Sequence, residues 1–190
     1  MYGKQLALLA RERKFTLNIL GVDGGNELPD APATHWPELF SFVAQRQPSV
    51  FIFVNEWSGK IGVDGNALRE ALEKLKGNVG HVILLTEQPT LPDLANRQGM
   101  RDGARPPFFE DPAQRAKRLY ANAIVQSFSS DWVTIIDVSR LFVDREGEIR
   151  TFTDNGLLTF QDAGHLSDAG AAMVRPMFDS AISSSMAARK

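Results

Sequence analysis

The chain has 190 residues, 43% apolar and 23% charged, with 21 basic against 23 acidic side chains and a formal net charge of −2. That is enough to bury the core of one domain and excludes a disordered tail or a fibre; the scattered charge argues against nucleic acid, which needs a concentrated basic face. There is no cysteine, hence no disulfide, thiolate metal site or cysteine nucleophile; no apolar run is long enough to span a membrane, and the residues after Met1 do not read as an export signal.

In chain order, residues 2–12 predict a helix, with Leu6, Leu9 and Ala10 on one face. Residues 15–20 predict a strand, broken by Gly21, Gly24 and Gly25. A proline-rich loop over 28–36 leads into a helix over 37–45, which Pro37 can start. Residues 50–55, Val-Phe-Ile-Phe-Val-Asn, are an apolar run ending in a polar residue, the pattern of a strand buried on both faces. A helix follows over 66–76, with Leu68, Leu72 and Leu75 inward and Gly77 as its stop. A second buried strand covers 81–86, and a long loop 88–107. Residues 112–128 predict a helix with a stripe of Ala116, Leu119, Tyr120, Ala123 and Ile124. A third strand covers 132–137, then a short helical stretch 138–142 and an irregular polar hairpin or loop over 145–153. The last helix covers 167–183, with Ala171, Val174, Phe178 and Ile182 inward.

Strands alternating with helices give an α/β fold with a parallel sheet covered on both faces. In such sheets ligands bind beyond the carboxyl ends of the strands. The residues to watch are therefore 21–25, 55–59, 86–89 and those just before the last helix.

The sharpest motif lies there: Asp162-Ala-Gly-His165-Leu-Ser-Asp-Ala-Gly170-Ala. An Asp three residues before a His can turn its carboxylate onto the imidazole. That fixes the tautomer, stabilises the imidazolium and leaves the other nitrogen as a general base. The alternative is a surface turn in which Asp162 caps a backbone amide. Ser167 is placed to cap the last helix.

Asp-x-x-His-Leu-Ser-x-x-Gly-Ala resembles the final block of the SGNH (GDSL-like) hydrolases, above all the SGNH domain fused to membrane acyltransferases that O-acetylate bacterial polysaccharides. The strand over 48–57, ending in Trp57, and the strand over 81–89, running into a proline turn, resemble that subgroup as well. The resemblance implies a three-layer α/β/α sandwich and a serine esterase or O-acyltransferase acting on acyl groups of carbohydrate, without a cofactor or metal. By the same resemblance His165 and Asp162 are the catalytic base and its orienter. The oxyanion is held by Gly24, or Gly25 beside it, and by Asn55, whose other reading is a residue tying down its own loop. Trp57 is a candidate for stacking on a sugar, against a place in the core. The implied partners are an acylated carbohydrate or acyl donor and a membrane acyltransferase domain, in an extracytoplasmic setting.

The family's nucleophile is the serine of a Gly-Asp-Ser block ending its first strand, and this sequence contains no Gly-Asp-Ser. The expectation is thus a single SGNH-like domain over 1–190, truncated before its first strand and inactive as written. Ser58, just past a strand end, is the substitute nucleophile to check. A non-catalytic module binding glycan or a partner is the alternative, and a flavodoxin-like binding domain a third. Gly21-Val-Asp-Gly-Gly lacks the spacing of a dinucleotide site. His35 and His81 are isolated. Arg97, Arg101 and Arg105 read as solvated.

Overall fold

The computed structural model describes residues 2–20, 28–29, 34–95 and 97–187. Its helices are α1 (Gly3–Arg13), α2 (Trp36–Arg46), α3 (Trp57–Lys60), α4 (Asn66–Leu75), α5 (Arg97–Arg101), α6 (Pro112–Ser127), α7 (Ser139–Phe142) and α8 (Asp168–Ala187). Its strands are β1 (Phe51–Phe53), β2 (Val82–Leu85) and β3 (Val133–Ile136). The residues group into two compact units. One comprises Met1–Leu17, Gln88–Arg118 and Val138–Asp179; the other Asn18–Glu87, Leu119–Asp137 and Ser180–Lys190.

The second unit holds the sheet. Its order is β1-β2-β3, all parallel, with Phe51 beside Val82 and Val82 beside Val133. Parallel neighbours require crossovers, supplied here by α4 and α6. Phe53, Val82, Leu84 and Val133 join a buried cluster with Val43 of α2, Leu68, Leu72 and Leu75 of α4, and Ala121 and Val125 of α6. Ile83 and Leu85 alternate to the opposite face of β2 and are equally buried, so both faces of that strand are covered. This is the α/β class with a parallel sheet that the alternation predicts. Leu68, Leu72 and Leu75 recur at helical spacing and all are buried. Gly77, just past the end of α4, has φ +84°, a conformation that only glycine adopts without strain.

The first unit pairs α1 with the amino-terminal turns of α8. Leu6, Leu9 and Ala10 are buried, and Tyr2 meets Phe178 edge-on at 5.4 Å between ring centres. Burial pushes the Tyr2 phenol above its ordinary range. Along the rim, Arg13 grips Asp179 at 2.5 and 2.9 Å, and Lys4–Asp168 and Arg175–Glu12 are further ion pairs. The polar hairpin has short antiparallel bridges, Val143 with Ile149 and Phe152 with Leu158.

Three expectations need correction. Residues 15–20 form no strand: they join no ladder, and Ile19 and Leu20 are 63% and 44% exposed. An apolar segment becomes a strand only where a neighbour satisfies its backbone groups, and none pairs with it among the described residues. The loop over 88–107 contains a 3-10 turn, Asp93–Ala95, and α5. The buried face of α6 is Arg118, Ala121, Asn122 and Val125, while Leu119 and Tyr120 are about half exposed. The helix is rotated from its apolar stripe because Arg118 and Asn122 have dedicated buried partners, described below.

Candidate active site

Gln161 N–H donates to His165 O at 2.8 Å, closing residues 161–165 into a tight loop. Asp162 organises its interior. Its Oδ1 accepts the N–H groups of Gly164 and His165 at 3.0 and 2.9 Å, and both carboxylate oxygens lie 2.9 Å from His165 Nδ1. The two readings of this motif therefore coexist: Asp162 caps the turn and orients the imidazole with the same group. A carboxylate facing Nδ1 makes that nitrogen the donor, so the neutral ring presents an unprotonated Nε2. Nε2 has no hydrogen-bond partner among the described residues, and the side chain is 67% exposed. Partial burial pushes the Asp162 carboxyl up. The Gly164 N–H, the His165 ring and N–H, and the charge of the imidazolium outweigh it and hold the group below its ordinary range.

The loop is tied down on both sides. Gln88 Nε2 donates to Gly164 O and Leu91 N–H to Ala163 O, each at 2.8 Å. The segment carrying Gln88 and Leu91 is itself fixed, because Thr90 N–H donates to Glu110 at 3.0 Å. Glu110 in turn is held by Arg118 of α6 through contacts of 2.6 to 3.0 Å, both side chains being 3% exposed. On the other side, Ser167 Oγ accepts the N–H of Gly170 at 3.1 Å, the cap its position predicts, and donates to Leu158 O at 2.5 Å. Gly170 completes the block: a Cβ there would lie 2.0 Å from Thr159 O. The helix can approach residue 159 so closely only because residue 170 has no side chain.

The second unit presents its own group of residues at the carboxyl ends of the strands. Thr86 Oγ1 donates to Asp137 at 3.0 Å. Asn122 of α6 pairs with the backbone of Glu87: its Oδ1 accepts the N–H at 2.7 Å and its Nδ2 donates to the C=O at 2.9 Å. The Glu87 carboxylate accepts the N–H and the hydroxyl of Ser58 at 2.7 and 2.8 Å. Ser58 is thus engaged with a carboxylate that also holds the start of α3.

Asn55 follows β1. Its Oδ1 accepts Glu56 N–H at 3.1 Å and Lys60 Nζ at 3.0 Å. Its Nδ2 is buried with no partner among the described residues. One end of the amide ties the loop, as its bland reading requires, and the other remains an unused donor. Trp57 is a correction. It is fully buried, packs edge-on against Phe53 at 5.4 Å and donates Nε1–H to Leu85 O at 2.6 Å. No face of it is open to a sugar; it is a core residue whose polar edge is satisfied. Gly24 and Gly25 lie outside the described residues. Arg105 Nη1 donates to Met100 O and Ala104 O, each at 2.8 Å, and so holds its own loop.

The sequence singles out Asp162, His165 and Asn55; it gives no sign of the contacts made by Glu87, Gln88, Lys60, Glu110, Arg118 and Asn122. Glu87 and Gln88 fall in the stretch 86–89, singled out as a strand's carboxyl end where a ligand could bind, with no role given to either residue. The only signal for Arg118 and Asn122 was their spacing with Ala121 and Val125, four positions at helical period of which two are polar. No helix among the described residues is long and apolar enough to cross a membrane.

The profile of the SGNH domain (fused to AT3 domains) matches residues 4–180. No curated protein matches the sequence significantly. Among solved structures, the periplasmic domain of the lipopolysaccharide acetyltransferase of Salmonella ser. Paratyphi A superposes with a TM-score of 0.65. The two are 18% identical, and the match covers 94% of this chain and 77% of that one, a likeness of fold. With the profile covering nearly its whole length, the chain belongs to the SGNH family, in the group of SGNH domains fused to AT3 domains.

Proposed function

We propose that this chain is the SGNH-type esterase or O-acyltransferase domain of a system that moves acyl groups, acetyl foremost, on carbohydrate. The observation that carries this is the Asp162–His165 pair, with Nδ1 2.9 Å from both carboxylate oxygens and Nε2 open to a reactant. Family membership supports the acyl chemistry, and fusion to AT3 domains supports a membrane acyltransferase as partner and an extracytoplasmic setting. A serine oxygen attacks the acyl carbonyl while His165 Nε2 takes its proton. Asp162 stabilises the resulting imidazolium. Asn55 Nδ2–H and a backbone amide near Gly24 donate to the oxyanion. The intermediate collapses, His165 protonates the departing oxygen, and water or a sugar hydroxyl releases the acyl group by the same steps in reverse.

The serine comes from a Gly-Asp-Ser strand that the 190 residues do not contain. β1 is an edge of the sheet among the described residues, and its open backbone is where we place that strand. A second reading is a non-catalytic module that binds glycan or a partner domain. The test is fluorophosphonate labelling and peptide mapping of the chain preceded by a Gly-Asp-Ser strand. We expect labelling at that serine, and a loss of about 10³-fold or more in deacetylation rate for His165→Ala. Label on Ser58 would overturn the nucleophile assignment. No label at all would leave the binding module.

A further inference from the structure

We propose that Lys60 is a positioning residue for Asn55: its ammonium group fixes and polarises the Asn55 amide so that Nδ2–H donates to a bound acyl oxygen. The inference rests on the oxyanion role proposed for Asn55.

An asparagine amide has two chemically distinct ends that sterics alone do not distinguish. Here the partners do. Oδ1 faces two donors, Glu56 N–H at 3.1 Å and Lys60 Nζ at 3.0 Å. The reversed amide would set its own NH₂ against both. Nδ2 is therefore held where it is buried and unpartnered among the described residues. A buried donor with no acceptor is uncommon because it is destabilising, and it marks a place where an acceptor arrives from outside. Lys60 adds a second effect. A cation on the carbonyl end draws electron density through the conjugated amide, which makes Nδ2–H a stronger donor.

The position of Lys60 is not left to a flexible side chain alone. It is the last residue of α3, and that single turn is clamped. Trp57 Nε1 is bonded to Leu85 O at 2.6 Å, and Ser58 is bonded twice to Glu87. The turn thus returns the ammonium group to the residue that ends β1. The neighbours that look merely structural, Trp57 and Glu87, acquire a purpose: they set where the charge sits.

The test uses ¹⁵N-labelled protein titrated with sodium acetate, which carries the oxygen chemistry of the acyl group. The Asn55 side-chain amide and the Glu56 backbone amide are followed in the wild type, Lys60→Met, Lys60→Arg, Asn55→Ala and the Asn55→Ala/Lys60→Met double variant. We expect acetate to shift both signals in the wild type and to bind about tenfold more weakly to Lys60→Met, with Lys60→Arg restoring most of the loss. In the Asn55→Ala background, removing Lys60 should change nothing further, because Lys60 acts through Asn55. Additive losses would overturn the proposal, since Lys60 would then attract acetate by charge alone. Unchanged affinity in Lys60→Met would overturn it too, leaving the oxyanion role of Asn55 intact. A wild-type Asn55 amide that ignores acetate would instead overturn the oxyanion role itself. If Lys60→Met fails to give a folded spectrum, Lys60→Gln carries the same expectations.

Discussion

A methyl group at residue 170 would sit 2.0 Å from the Thr159 carbonyl oxygen. Replacing a helical glycine by alanine ordinarily stabilises by about 1 kcal/mol. Here backbone stands in the way and something must move, so the overpacking cost decides the sign. We expect Gly170→Ala to lose about 2 kcal/mol in urea unfolding; a gain would mean that α8 and residue 159 slide apart freely. The glycine of the Leu-Ser-x-x-Gly-Ala block is thus explained by packing, not chemistry. The Asp162–His165 pair was legible because its partners lie three residues apart, and local geometry suffices to join them. Asn55 was legible as the polar end of an apolar run. What fixes its amide was not: nothing in the sequence says that Lys60 folds back through one turn. Trp57 was misread for a related reason. A tryptophan beside a predicted loop looks exposed until the turn that buries it is known.

At the scale of elements, α6 gives the clearest case of polar residues setting a helix's orientation. Its apolar stripe predicts Leu119 and Tyr120 inward, yet Arg118 and Asn122 take that place. A pattern count treats every charge as solvated, and it fails wherever a charge is buried with its partner. Removing one member of a buried pair leaves an uncompensated charge. Arg118→Met should therefore cost about 3–5 kcal/mol, measured by urea unfolding. Replacing Glu110 as well, by leucine, should recover part of that but not all. Thr90 N–H would still lack the acceptor that Glu110 provides. A single substitution costing under about 1 kcal/mol would mean that water reaches the pair. The segment 15–20 shows the opposite limit of sequence reading. Its composition suits a strand, but pairing is a property of the neighbour and not of the segment.

For the whole molecule, stability should depend on pH in a way traceable to one group. His81 Nε2 lies 2.8 Å from Thr134 Oγ1, where β2 begins beside β3. Burial lowers its pKa from the ordinary 6.5, so the unfolded chain takes up a proton more readily than the folded one. The contribution is complete above 6.5 and is lost as pH falls from there toward the folded value. Urea midpoints should decline across that window, and His81→Gln should flatten the decline. An unchanged slope in the variant would assign the effect to other groups. The fold class itself was legible because three apolar runs alternating with amphipathic helices admit few arrangements. The number of paired strands was not, since that is decided by contacts across the sheet.

Asn122 offers Glu87 one acceptor and one donor, as a neighbouring strand would. The side chain of a helix thereby extends the sheet by one residue past the last backbone rung, where Thr86 N–H meets Ile136 O at 3.0 Å. Hydrogen exchange should report this directly. The Glu87 amide, in what looks like a loop, should exchange as slowly as the amides of β2, and its opening should require α6 to lift away. In Asn122→Ala that one amide should become fast while Leu84 and Leu85 stay slow. The slowly exchanging part of the sheet would then extend to residue 87, one position past the last backbone rung.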